Sequence, residues 1–586
     1  MATESFFSSA SLAYLASAGA GKDGKAYSIK PNDGTGDFTF SRGSNLAATR
    51  VGADGLIEKG RENLLTYSND FGTTWISTSI TPTSGQSGYD GSSDAWLIEK
   101  SASNGRIQQS GFGTLSGVYT ISIYAKKNAS QWMRILGNAS TNGDVFIDLE
   151  NGVFGTASNV FDTNIESVGN GWYRCSFSAN YSGIFEIRIY PAEGDSDTSG
   201  TSGSIYIQDA QLEIGLAATD YIESGATTGK AGLLEDEPRF DYSGGVTCPS
   251  LLLEPSRTNL FPYSEYIANY SPAFGGVIEY DSTIQTPQGV NGCYTFYDSD
   301  GGAYARIRHN LGGFSIGDKH SHSVFIKGTP NSRMLLGDEY GGGTNEFDLS
   351  TKTLVSQGAN VESYKIEDYG NGWTRYSVVS VFQDAIGNGN VYSLIRVSGD
   401  SSNKVPLWGW QLEEGSYPTS YIPNHSGGTI TRGADECNGA GDSSTFNVDE
   451  GVFYAEISTN TDDTDKAISL TNNIGDRLWM GYSTANKNVY ALGYVNYSIQ
   501  FALSKSITDE SLFVKIACKY AENDVSFFVN GEKVGTDTSA LAFTELDSLD
   551  FDLGTNTGNG SFYGNVKQIL VFNEALSDAD CIAITS

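Results

Sequence analysis

Histidine is scarce: His309, His320, His322 and His425 are the four in 586 residues. Any Ser–His–Asp relay or histidine-rich metal centre must draw on them. The six cysteines (Cys175, Cys248, Cys293, Cys437, Cys518, Cys581) include no CxxC pair and no regular spacing. That excludes a zinc-ribbon pattern and reads as free thiols made in a reducing cytoplasm. No run of Lys and Arg forms a basic patch against the net charge of −33, so phosphate is repelled and nucleic acid is excluded as a partner. No apolar stretch approaches the roughly 20 residues of a membrane helix, which argues against membrane insertion. Near the start, 5–20 (SFFSSASLAYLASAGA) is small and moderately apolar, but Glu4 precedes it and no Lys or Arg does. A secretory leader needs that positive region, so the segment is read as an attachment arm.

What is abundant points one way. There are 70 Gly, 33 Tyr and 29 Phe against 4 Met. Tyr, Phe, Thr, Val and Ile suit a pleated, half-buried surface, and Gly, Asn and Asp suit tight turns. The fold class is all-β. The length is too great for one core and implies roughly three or four domains.

An internal repeat organises the chain. The segment 56–68 (LIEKGRENLLTYS) recurs as 252–264 (LLEPSRTNLFPYS). Then 169–174 (GNGWYR) returns as 370–375 (GNGWTR), and Gln211-Leu212-Glu213 with Gly215, Thr219, Tyr221 and Ile222 returns as Gln411-Leu412-Glu413 with Gly415, Thr419, Tyr421 and Ile422. The offsets are 196, 201 and 200, in the same order. Two homologous modules, 61–225 and 257–425, follow. Within them 118–125 (VYTISIYA), 185–190 (FEIRIY) and 204–208 (SIYIQ) alternate with period two, as strands with one buried face do. Modules of this length are expected to be two-sheet jelly rolls. The frame is then a 1–60 attachment region, the first jelly roll, a 226–256 linker, the second jelly roll, a 426–448 linker and a different strand-rich domain at 449–586.

In that last domain a hairpin around Asn530-Gly531, 527–534 (FFVNGEKV), precedes a closing strand at 564–573 and a tail at 576–580 (LSDAD). This pattern resembles the concanavalin A-like, laminin G-like sandwich. The repeated modules resemble carbohydrate-binding-module jelly rolls. The segments 37–43 (DFTFSRG), 48–51 (ATRV), 54–58 (DGLIE), 61–65 (RENLL), 238–242 (PRFDY) and 251–260 (LLLEPSRTNL) are similar to segments of bacteriophage virion proteins. The resemblance implies a virion structural protein, of fibre, spike or decoration type in head or tail, assembled in the host cytoplasm. Its implied partners are other capsid or tail proteins, further copies of itself (a trimer being one form) and a host-surface glycan.

Chemistry is sparse. His320 and His322 stand two apart in 319–327 (KHSHSVFIK), spacing that can ligate zinc on a strand. The repeat puts Tyr119 and Ile121 at the equivalent positions, which favours packing. The acidic pairs Asp195/Asp197 and Asp298/Asp300 and the cluster Asp462, Asp463 and Asp465 are turn formers or calcium ligands. None has EF-hand spacing, and no cofactor is expected beyond calcium. A glycosidase needs two carboxylates converging on one bond; no such pair is recognisable, and no enzyme activity is expected. Recognition falls to aromatics, because sugars stack on Trp and Tyr. The candidates are Trp75, Trp96, Trp408 and Trp410, whereas Trp172 and Trp373 follow the same turn in both repeats and read as structural. Phe6, Phe7, Leu12, Tyr14 and Leu15 are the candidate attachment residues. A secreted carbohydrate-binding or adhesin protein and a polysaccharide depolymerase remain as alternatives.

Overall fold

The computed structural model describes the chain apart from residues 1, 20, 44–45, 138–142, 301–303, 329–331, 400–402, 461–464, 484–486 and 555–559, and apart from the side chains of 2–5 and 399. The fold is all-β, with tandem jelly-roll modules and a C-terminal concanavalin A-like sandwich.

The second module is the plainer jelly roll. One sheet runs Gly276–Gln285, Asn291–Asp298, Val405–Glu414, Lys319–Lys327, Trp373–Val381, Val361–Asp368. The facing sheet runs Ala305–Gly312, Asn390–Gly399, Ser332–Asp338, Gly343–Asp348, Thr353–Gln357. The first module repeats this order, but its two layers join. Arg106–Lys127 and Trp172–Ala192, of 22 and 21 residues, each pass from one layer into the other. Each does the work of two strands in the second module. The passage lies where pairing slips between Ser110 and Thr114. There Gly111 and Gly113 take φ of 103° and 71°, conformations that let the strand bend. The Asn-Gly turns at 170–171, 371–372 and 530–531 all hold positive φ at both residues, as two-residue hairpins require.

The ends of the chain meet. The C-terminal domain's larger sheet runs Arg239–Asp241, Ser250–Leu253, Gly564–Phe572, Glu450–Thr459, Val514–Ala521, Val525–Val529, Glu532–Asp537. Leu12–Leu15 joins the same edge of Gly564–Phe572 as Ser250–Leu253, pairing with Val571 to Gln568 while Leu251 to Leu253 pair with Val566 to Gly564. The facing sheet runs Ser498–Ser506, Asn488–Val495, Arg477–Ser483, Lys466–Thr471, Ser548–Asp550. The core between them includes Leu12, Tyr14, Phe38, Phe40, Phe240, Leu251 and Leu253.

This corrects the sequence-based frame in two places. The 1–60 region is not a separate attachment arm, because its apolar residues complete the C-terminal core. Nor are 226–256 and 426–448 linkers: Gly229–Ala231 pairs with Arg61–Asn63, Ile430–Arg432 with Arg257–Asn259, and Glu436–Asn438 with Phe38–Ser41. The modules are also not beads on a string. Val118 and Leu216 of the first are buried in the core of the second.

A buried ionic cluster sits at this junction. Arg239, Arg432, Arg42, Glu254 and Asp435 are all 5% exposed or less. Arg239 bonds Glu254 at 2.6 Å and also Asp435; Arg432 reaches Glu254 at 2.8 Å and Arg42 reaches Asp435 at 3.2 Å.

Candidate functional site

The four tryptophans singled out above are not exposed platforms. Trp408 and Trp410 are 1% and 0% exposed. Trp410 stacks on Phe261 at 4.2 Å, and Trp408 packs on Tyr421 at 4.5 Å. Their strand, Val405–Glu414, is buried on both faces through Glu413, so neither ring reaches solvent. Trp75 is buried against Phe71 and donates to the Tyr67 carbonyl at 3.2 Å. Trp96, partly buried, donates to the Asn69 carbonyl at 3.0 Å. Both pin the 67–75 loop to the first module. These are packing roles, and the ligand-binding assignment of Trp75, Trp408 and Trp410 is withdrawn.

Of the attachment residues two are interior and three are half-buried. Leu12 and Tyr14 are 0% exposed. Leu15 pairs with Gln568, and Phe6 and Phe7 pack on a cluster containing Val452, Leu570 and Ile584. Leu12 and Tyr14, spent on the chain's own core, leave no surface for a partner.

His320 and His322 lie in the second module's interior at 0% exposure, their rings 4.9 Å apart. His322 Nδ1 bonds Ser393 Oγ at 2.7 Å. Among the described residues no group of three or more His, Cys, Asp or Glu is arranged to hold a metal ion. Asp462 and Asp463 lie outside the described residues. Burial pushes His320 and His425 down to about 4 and His322 further; for His425 the Lys59 charge adds to this and Glu265 opposes it. Imidazoles kept neutral when folded, but titrating near 6.5 when unfolded, contribute stability that is complete above about pH 6.5 and lost as pH falls towards 4. His320 and His425 are each expected to cost about 3 kcal/mol at pH 4. Urea midpoints should therefore drop steeply between pH 6.5 and 4, and less steeply in His320→Phe. Equal midpoints at pH 7 and 4.5 in the parent protein would contradict this.

A cleft of about 370 Å³ opens where the N-terminal segment meets both modules, lined by Leu46, Lys59, Tyr119, Leu216, Trp408 and His425 among others. Lys59 Nζ lies 3.2 Å from His425 Nε2, which is 3.6 Å from Glu265 Oε1; Tyr421 donates to that oxygen at 3.0 Å. Lys59 donating to Nε2 leaves the proton on Nδ1. The arrangement ties 59–64 to 423–426. Among the described residues the His425 ring hydrogen-bonds no Ser or Cys side chain.

An exposed aromatic patch lies in the C-terminal domain, at residues the sequence reading passed over. Along Asn488–Val495, Tyr490, Leu492 and Tyr494 face outward while Val489, Ala491, Gly493 and Val495 face the core. On Arg477–Ser483, Arg477 and Trp479 share that outer face, paired with Tyr494 and Leu492. Trp479 packs on Tyr494 at 5.0 Å and is fixed by its indole N–H donating to the Leu553 carbonyl at 2.9 Å. The hairpin Asn496-Tyr497 closes the edge with φ of 49° and 65°. Asn tolerates that region; a bulky Tyr adopts it at a cost of order 1 kcal/mol or more. Tyr497 is nevertheless 67% exposed, beside Ile499 at 61%. The Arg477 guanidinium carbon lies 5.7–5.9 Å from the ring centres of Trp479, Tyr494 and Tyr497. Below it, Asp476 accepts from the Asn496 N–H at 2.9 Å and from Thr544 Oγ1 at 2.8 Å. Three rings and a guanidinium thus form an open platform, able to stack on a flat apolar ring while bonding its polar edge.

Residues 415–581 match the profile described as the concanavalin A-like lectin/glucanases superfamily. No curated protein matches the chain. Among solved structures, domain 4 of the extracellular GH43 arabinanase AbnA of Geobacillus stearothermophilus is 13% identical, over 29% of this chain and 83% of that one, with a TM-score of 0.21. Domains LG4-5 of the mouse laminin alpha1 chain are 10% identical over 46% and 88%, at 0.20. The sialidase of Trypanosoma rangeli is 9% identical over 93% and 97%, at 0.21. At such scores these likenesses carry no argument about activity. It is the profile match, joined to the two facing sheets above, that makes the C-terminal part of this all-β chain a concanavalin A-like domain.

Proposed function

We propose that this chain is a non-enzymatic structural and recognition protein of a bacteriophage virion, a fibre, spike or decoration. Its C-terminal domain takes a host-surface glycan on the Trp479–Tyr494–Tyr497–Arg477 platform. The observation that carries the glycan reading is Tyr497: its ring, held at a strained left-handed turn beside Arg477, is 67% exposed, which leaves most of its surface free to stack on a ligand. The lectin-type fold of the surrounding domain agrees with it. The virion reading rests on the resemblance of 37–65 and 238–260 to virion proteins and on the rigid repeated modules. Many copies on a particle turn weak contacts into avid ones. Assembly in the host cytoplasm, oligomerisation and contact with other capsid or tail proteins belong to this reading.

The test is affinity electrophoresis and glycan-array binding of the full chain. Trp479→Ala and Tyr497→Ala should each weaken glycan binding about tenfold or more, roughly 1.4 kcal/mol, at unchanged thermal unfolding. Binding unaffected by both would remove the platform from the proposal. Absence of the chain from purified particles by mass spectrometry, or release of reducing sugar by the purified protein, would overturn the virion or the non-enzymatic half.

A further inference from the structure

The two jelly-roll modules carry a second kind of surface, which does not depend on the C-terminal platform. In the first module the layer formed by the early part of Arg106–Lys127, the late part of Trp172–Ala192, Trp132–Gly137 and Asp144–Asp148 turns Arg106, Arg134 and Arg188 outward. They cover the buried rings of Tyr190 and Phe146, 4% and 5% exposed: the Arg134 guanidinium carbon is 5.2 Å from the Phe146 ring centre and 5.3 Å from that of Tyr190, and Arg106 is 6.0 Å from Tyr190. In the second module the corresponding sheet turns out Arg306, Arg308, Arg333 and Arg396. Arg306 lies 4.7 Å from Phe274, Arg396 4.5 Å from Tyr304, and Arg308 5.0 Å from Tyr392.

The two faces are equivalent by strand pairing. Arg106 precedes Ile107, which stands opposite Ile189 next to Tyr190, and Arg306, 200 residues on, stands opposite Arg396 on the corresponding strand pair. Individual residues change between the modules, yet the combination of arginine and aromatic stays. Seven of the chain's sixteen arginines stand on these two faces, in a protein of net charge −33. Arg134, Arg188, Arg306, Arg308 and Arg333 expose between 19% and 52% of their side chains, and Arg106 and Arg396 are half-buried, so the faces are reachable. Part of the charge is answered locally: Asp144 takes Arg134 at 2.8 and 2.7 Å, Glu186 takes Arg188, and Glu339 takes Arg306 and Arg308. Among the described residues Arg106 and Arg396 pair with no carboxylate; Arg106 reaches only Gln108, at 3.0 Å, by hydrogen bond.

We propose that these paired faces bind an acidic polysaccharide, its carboxylates on Arg106 and Arg396 and, on the second module, a sugar ring against Phe274, which is 52% exposed. Guanidinium is the side chain whose donors match a carboxylate in two parallel bonds, and aromatic rings receive the apolar faces of sugars. The rest of the surface repels a polyanion, so the polymer is directed to the faces where cations gather. A face repeated along one chain fits a polymer that also repeats, and two weak sites on one strand add avidity. A second copy of this acidic protein is the competing occupant; it offers charge but no repeating ring.

The experiment titrates the full chain with polygalacturonate, alginate and hyaluronate by affinity electrophoresis and calorimetry, alongside carboxyl-reduced polygalacturonate. At least one acidic polymer should bind, weakening as salt rises, and the reduced polymer should bind at least tenfold more weakly. Arg106→Gln with Arg396→Gln should reduce binding at least tenfold at unchanged thermal unfolding. The Lys replacements, which keep the charge, should recover part of it. Trp479→Ala should leave polyuronate binding as it is, which separates this site from the C-terminal platform. Binding to none of the three polymers, equal binding to the reduced one, or an unaffected double Gln variant would overturn the proposal. So would salt-sensitive self-association, by ultracentrifugation, that the Gln variants abolish without any polymer binding.

Discussion

Removing residues 2–41 is expected to unfold the C-terminal sandwich while leaving most of the two jelly rolls folded. The deleted segment supplies Leu12–Leu15 to the edge of Gly564–Phe572 and Phe38–Ser41 to Glu436–Asn438. It takes Leu12, Tyr14, Phe38 and Phe40, each 1% exposed or less, out of the core. Tyr14 meets Phe38 edge-on at 5.4 Å, and Phe38 packs on Phe551 at 5.1 Å. At about 1.5–3 kcal/mol per large apolar side chain, four such residues amount to roughly 6–12 kcal/mol. That rivals the 5–15 kcal/mol that holds a typical domain together. The jelly-roll cores share none of these side chains. Limited proteolysis should therefore degrade 449–586 and spare a fragment spanning the modules, with the enthalpy of the parent's calorimetric transition reduced. Phe38→Ala alone should destabilise that domain by about 3–5 kcal/mol. A truncated protein that unfolds at the parent's temperature, with its C-terminal domain protected, would show that the N-terminal strands are ornament rather than core.

That dependence was invisible in the sequence, and the reason is physical. The repeat was legible because two similar stretches at a constant offset need no knowledge of the fold, and the two-residue alternation of 118–125 and 204–208 marks strands directly. Leu12–Leu15 is four residues long and pairs with a strand more than 550 residues away. Too short to carry a period, it has its partner chosen by tertiary packing. The tryptophans failed for a related reason. Alternation separates inside from outside only when one face is wet, and Val405–Glu414 is covered on both. The platform at 477–499 is the converse case. Its strand does alternate, but the larger aromatic set, Tyr490 and Tyr494, is the outward one, while small Ala491 and Gly493 face in. A reading that assigns the bulkier residues to the core inverts this face. The usable signal was a strand whose inward set is the smaller one, next to a turn with Tyr at a position that favours Asn or Gly.

Arg239→Met is expected to lower stability by about 3–5 kcal/mol, the scale for breaking a buried ion pair by removing one partner. It should also uncouple the domains. Arg239 is 0% exposed and reaches Glu254, Asp435, the Thr49 carbonyl at 3.2 Å and Ser420 Oγ at 2.8 Å. Those groups belong to the N-terminal segment, the second module and the strands leading into the C-terminal sandwich, so one guanidinium bridges all three. The Ser420 amide and hydroxyl donate to Glu254 at 2.7 and 2.6 Å, and the Glu254 amide donates to Asp435 at 2.8 Å. Burial alone would raise the Glu254 carboxyl; Arg432 and Arg239 outweigh it and hold the group well below the usual carboxylate range. A carboxylate depressed in this way contributes stability that is present above its unfolded value near 4.5 and lost as pH falls below it. This acid loss follows the histidine loss, which begins at higher pH. Without Arg239, Glu254 keeps Arg432 and Ser420 but loses one of its two guanidinium partners, so its carboxyl should titrate at higher pH, nearer its unfolded value. Scanning calorimetry and urea titrations would check both parts: a single merged transition in the parent at pH 7 should split in the variant, and urea midpoints below pH 5, lower throughout, should fall less steeply than the parent's because the folded and unfolded Glu254 then bind protons over a more similar range. Arg239→Met melting as one unit, within 1 kcal/mol of the parent, would show that the strands at the junction hold the domains together without the cluster.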